Sequence, residues 1–107
     1  MSAEKIRALN DAFRTTMTGG RVMMTAGVDA LPSDVKAMVI RRVATFSDFT
    51  PDNDPHQEHD FGNFTLVGRK FFWKIDAYDA DMRFGSDDPA DPAKTTRVLT
   101  IMLASEY

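Results

Sequence analysis

Both histidines of the chain, His56 and His59, fall in one stretch, Thr50-Pro51-Asp52-Asn53-Asp54-Pro55-His56-Gln57-Glu58-His59-Asp60-Phe61-Gly62, with carboxylates on every side. Imidazole and carboxylate are ligand types that borderline divalent metals accept, so His56, His59 and Asp60, joined by Asp76 from a later segment, form a candidate metal set. The motif itself is weak. His-x-x-His in a loop lacks the i, i+4 helical spacing that makes two histidines converge, and no helix places a glutamate base. The calcium-loop pattern is absent as well. A second chemistry is acid–base catalysis by His59, with Asp76 orienting the ring and Tyr78 nearby. No nucleophile accompanies it, because Thr50 and Thr65 sit in no recognisable elbow and no glycine loop cradles a phosphate. The commonest role for such residues is structural: Asp and Asn build turns, the prolines stiffen the loop, and His59 pins it to a sheet.

The elements that must position this loop follow from periodicity and turn chemistry. Ile6, Leu9 and Phe13 predict an amphipathic helix over 3–14, ended at Thr18-Gly19-Gly20. Residues 21–26 form a short apolar run, expected as a buried strand, and Leu31-Pro32-Ser33-Asp34 opens a second helix over 33–46. Arg41 and Arg42 in its last turns complement the macrodipole. After the loop 48–60, Phe61 to Val67 and Lys70 to Tyr78 predict a β-hairpin around a Gly68-Arg69 type II′ turn. That turn pairs Leu66 with Phe71, Phe64 with Trp73 and Gly62 with Ile75 on one apolar face, and carries His59 to the side of Asp76. The Phe71-Phe72 pair and Trp73 are expected in the core rather than as a platform for bases. Ala80 to Phe84 is a weak further strand. Asp91-Pro92 looks like a helix start, so 92–105 is expected as a third helix, with a strand over 95–103 as the alternative.

At 107 residues, 43% hydrophobic and 27% charged, the chain has the composition of one folded domain, residues 1–107, rather than a disordered segment. No apolar run approaches the roughly 20 residues that cross a bilayer, and the N-terminus has no signal-peptide core, so a cytoplasmic protein without a membrane partner is expected. The absence of cysteine excludes disulfides, thiolate metal sites and cysteine nucleophiles. The net charge of -3 is unevenly spread: seven basic and four acidic residues occupy 1–47, whereas 48–91 holds four basic against eleven acidic. Such a block repels nucleic acid and favours a basic protein surface, so no direct nucleic acid binding is expected.

The runs Thr50-Pro51-Asp52-Asn53-Asp54-Pro55-His56, His59-Asp60-Phe61-Gly62, Phe72-Trp73-Lys74-Ile75-Asp76 and Asp88-Pro89-Ala90-Asp91-Pro92 through Arg97 to Leu103 carry a resemblance over nearly the whole chain. It resembles a family of small bacterial proteins catalogued only as a domain of unknown function. The resemblance implies a bacterial cytoplasmic setting, association with plasmids and other mobile elements, and a role in element maintenance or in countering host defence. It supplies no catalytic residues. Gln57 stands where that family places a small residue such as glycine, and Ala77 where an aromatic is common.

These readings together predict an α+β fold, a small antiparallel sheet with a central hairpin and about three helices on one face, in the order α-β-α-β-β-(β)-α. The expected function is a non-enzymatic acidic protein-binding module. Asp52, Asp54, Glu58, Asp60, Asp79, Asp81, Asp87 and Asp88 would meet a protein with a basic surface, such as a nucleic-acid-targeting defence complex of the host. No cofactor is expected. The alternative is a small hydrolase centred on the His56-His59 loop, using His59, Asp76 and Tyr78 or a divalent metal at His56, His59, Asp60 and Asp76. A homo-oligomer is a further possibility.

Overall fold

The computed structural model describes residues 2–107. Its elements are α1 (Ser2–Thr16), β1 (Arg21–Met24), α2 (Ala26–Asp29), α3 (Ser33–Ala44), β2 (Phe61–Leu66), β3 (Arg69–Tyr78), β4 (Thr96–Leu103) and a closing 3-10 turn, Ala104–Glu106. The fold is α+β. The strands form one four-stranded sheet in the order β1-β4-β3-β2. It is mixed rather than purely antiparallel, because β1 runs parallel to β4 while β3 is antiparallel to both neighbours.

Phe13 of α1, Val28 of α2, and Val39 and Val43 of α3 pack on Phe64, Phe71, Trp73, Ile75, Leu99, Ile101 and Leu103, so all three helices cover one face of the sheet. Trp73 and Phe71 have no exposed surface, and burying each aromatic side chain stabilises the fold by roughly 1.5–3 kcal/mol. The intervening residues of the strands point to the other face, away from the helices.

The expected helix over 92–105 is a strand. Its apolar positions are too dense for a stripe because β4 is central and buried on both sides, with Val98 and Met102 facing one way and Leu99, Ile101 and Leu103 the other. Asp91 starts no helix; its Oδ1 accepts the Ala93 amide at 2.9 Å, closing a turn. The expected strand over 80–84 is likewise absent. Asp79 Oδ1 accepts the Arg83 amide at 3.0 Å, and only a Tyr78–Gly85 bridge extends the pairing.

The hairpin forms, but its turn is Val67-Gly68, one residue earlier than expected. Both residues have positive φ, 46° and 74°, as a type I′ turn requires. Phe64 therefore opposes Phe71, and Gly62 opposes Trp73. The register moves by two places, so every side chain keeps its expected face. Gly62 explains the choice: a Cβ there would lie 2.5 Å from Trp73 Nε1 and 2.9 Å from Phe46, so only glycine lets the indole cross the neighbouring strand.

Candidate functional site

On α1, Arg7, Asn10, Asp11 and Arg14 repeat at the spacing of an apolar helix face, and that face is turned inward. Arg14 and Asn10 are only 3% exposed. Arg14 Nη1 donates to the carbonyls of Val43, at the end of α3, at 2.9 Å and of Phe46, just beyond it, at 3.0 Å, while Nη2 meets Asp11 Oδ1 at 3.0 Å. Its guanidinium also lies 5.1 Å from the Trp73 ring centroid and 5.4 Å from that of Phe49. Arg41 and Arg42, the cations expected at this terminus, are exposed.

His59 docks on the same helix. Its Nδ1 lies 2.9 Å from Asp11 Oδ1, its Nε2 lies 3.5 Å from Asp54 Oδ2, and its ring stacks on Phe49 with centroids 3.7 Å apart. The expected partner, Asp76, is elsewhere. It belongs to the sheet face opposite the helices and meets Lys74 Nζ at 3.1 Å, and Tyr78, two residues on, shares that face. The ladder never reaches His59, because the chain turns first. Gln57 and His59 are left-handed, with φ of 56° and 53°, and Asp54 Oδ1 accepts the amides of Glu58 and His59, each at 3.1 Å. Such a conformation is one that glycine adopts without steric cost.

The cleft beside His59, about 300 Å³, is lined by Arg7, Phe49, Thr50, Pro51, Asp54, Pro55, Gln57 and His59. Arg7 Nη1 donates to the Gln57 carbonyl at 3.0 Å. Asp11 meets one ring nitrogen of His59 and Asp54 lies 3.5 Å from the other, so both nitrogens face carboxylates and the loop is built as a clamp. His56 is exposed, and among the described residues no three histidines or carboxylates converge closely enough to hold a metal ion.

The acidic segments meet through a different pair. Arg97, 4% exposed on β4, donates from Nε to Asn10 Oδ1 at 2.7 Å and from Nη2 to the Pro89 carbonyl. Asn10 Nδ2 donates to the Glu58 carbonyl at 2.9 Å. One buried amide and one buried guanidinium thus hold the 57–59 and 86–92 loops to the same point of α1. Burial pushes the Glu58 carboxyl above its ordinary value, with Asp60 and Asp54 adding to the rise. Asp60 is raised in the same way by burial, then by Asp54 and Asp76. Burial lowers Arg97, against the pull of Glu58.

Of the carboxylates expected to meet a partner, Asp52, Asp81, Asp87 and Asp88 are exposed, and Glu58, Asp60 and Asp79 are half-buried. Asp54 is 5% exposed and fully engaged inside the loop, which removes it from any contact surface. Sequence reasoning missed Asn10, Asp11, Arg14 and Arg97. The first three belong to a polar stripe on the first helix, whose i, i+3, i+4, i+7 spacing matches that of a buried face; Arg97, on β4, had no such signal.

No helix among the described residues is long and apolar enough to cross a membrane. No curated protein and no solved structure matches the chain. A family model described as "Protein of unknown function (DUF3768)" matches residues 24–106, from the end of β1 through the closing turn. That match takes in the clamp loop, the hairpin and Arg97, and the chain belongs to the DUF3768 family.

Proposed function

We propose that the chain is a non-enzymatic protein-binding module whose two acidic loops, 48–60 and 79–91, dock together on a basic protein surface. The observation that supports it is the buried Asn10–Arg97 pair, which ties Glu58 and Pro89 to one point and so gathers carboxylates that lie far apart in sequence. Burial raises Glu58 and Asp60, the neighbouring carboxylates add to the rise, and a cationic partner relieves that added repulsion. The resemblance to small proteins of bacterial mobile elements supports a cytoplasmic setting. It also supports a target among the host's nucleic-acid-targeting defence complexes, whose phosphate-binding surfaces are basic. A histidine-based hydrolase draws less support from this loop, since both ring nitrogens of His59 face carboxylates.

The test is affinity capture from a bacterial host at low and high salt, comparing the wild type with a variant carrying Asp81→Asn, Asp87→Asn and Asp88→Asn. A basic partner retained at low salt, released as salt rises and lost in the variant supports the proposal. Identical catches from both proteins, or retention indifferent to salt, would remove the acidic surface from consideration.

A further inference from the structure

We propose that the sheet face turned away from the helices binds single-stranded nucleic acid. Strand register puts Phe61 of β2, Phe72 of β3 and Met102 of β4 on this face, with Lys70, Lys74 and Arg21 around them. Tyr107, 74% exposed, folds back over it: its ring centroid is 5.1 Å from that of Phe72 and 6.1 Å from that of Phe61. Phe61 and Phe72 are themselves 5.5 Å apart. On the same face Met102, 3% exposed, pairs directly with Phe72, and Val98, 4% exposed, lies farther along β4 opposite Asp76.

Charge selects the occupant. Three of the four basic residues between positions 48 and 91, Arg69, Lys70 and Lys74, sit on the hairpin, and Lys70 Nζ already lies 5.4 Å from the Phe72 centroid. On this face Arg21, Lys70 and Lys74 stand against Asp76, so a chain of net charge -3 has a locally cationic, aromatic surface here. An apolar peptide would need the rings without the lysines, and a simple polyanion the lysines without the rings. A single strand uses both, stacking bases on the aromatics while its phosphates run beside the cations. A duplex keeps its bases stacked internally and offers these rings no open base face. The surface is separate from the acidic loops, whose anchor, Arg97, points to the helix side of the sheet.

Fluorescence anisotropy with a short labelled oligo(dT) and the full chain tests this at low and moderate salt. The expected result is saturable binding that weakens as salt rises. Phe72→Leu, which keeps an apolar side chain but no ring, should weaken it by about tenfold. Tyr107→Ala, at the exposed terminus, should weaken it severalfold, and it keeps the test decisive if Phe72→Leu melts early. Asp87→Asn with Asp88→Asn should bind no more weakly than the wild type, which separates this surface from the acidic one. Four results would overturn the proposal. They are no binding at low salt, equal binding of a duplex or of polyglutamate, wild-type affinity in a folded Tyr107→Ala chain, and loss of binding in the Asp87/Asp88 variant.

Discussion

His59 and Asp54 illustrate how a loop rich in chemical groups becomes a structural clamp. Asp54 is buried, two backbone amides donate to its carboxylate, and His59 Nε2 lies 3.5 Å from it. Asp54→Ala strands those donors and should cost about 2–3 kcal/mol of stability. His56→Ala, at an exposed position, should stay within about 0.5 kcal/mol; urea titration of both variants checks the contrast. Gln57 holds a left-handed conformation that glycine adopts without steric cost, so Gln57→Gly should stabilise the protein by about 0.5–1 kcal/mol in the same assay. The partner of His59 was not legible because Asp11 belongs to a polar stripe that, without the fold, reads as a solvated helix face. A structural role for the histidine was legible from the residue types around it, but that it pins the loop to α1 rather than to the sheet was not.

At the scale of elements, turn chemistry and alternation made the hairpin legible, and its faces survived a two-place change of register because side chains repeat every two residues. The turn type was set by something no local pattern contains, the meeting of Gly62 with Trp73. Gly62→Ala should therefore cost about 1–3 kcal/mol through overpacking, measured as a fall in the urea midpoint at unchanged slope. β4 was misread for a related reason: a central strand buried on both faces loses the alternation that identifies strands. Its end is fastened by Glu106, whose carboxylate accepts Thr25 Oγ1 at 2.6 Å, the Gly27 amide at 2.8 Å and the Leu103 amide at 2.9 Å. Those hydrogen bonds hold the Glu106 carboxyl below its ordinary value. A depressed carboxyl contributes stability above its unfolded pKa and loses it as pH falls through the folded one. Glu106→Gln should accordingly flatten the acid limb of the stability curve. Asp60, raised by burial, acts with the opposite sign: its contribution is full below the unfolded pKa and is lost as pH rises through the folded one. Asp60→Asn should raise the melting temperature near neutral pH, with the gain vanishing in acid.

Across the whole molecule, charge is sorted by the fold. Acidic loops are gathered at α1, and three of the four cations of the middle segment stand on the hairpin. The α+β class and the acidic block were legible from the chain; the device that unites the block was not, because Asn10 and Arg97 are 87 residues apart and neither lies within it. Hydrogen exchange on an Asn10→Leu variant tests that device most directly, since the substitution removes both the anchor of the Glu58 carbonyl and the acceptor for Arg97. Protection of the Glu58, His59, Asp88 and Asp91 amides should fall together while the β3 and β4 amides stay protected. Loss confined to one of the two loops, or in neither, would contradict the account.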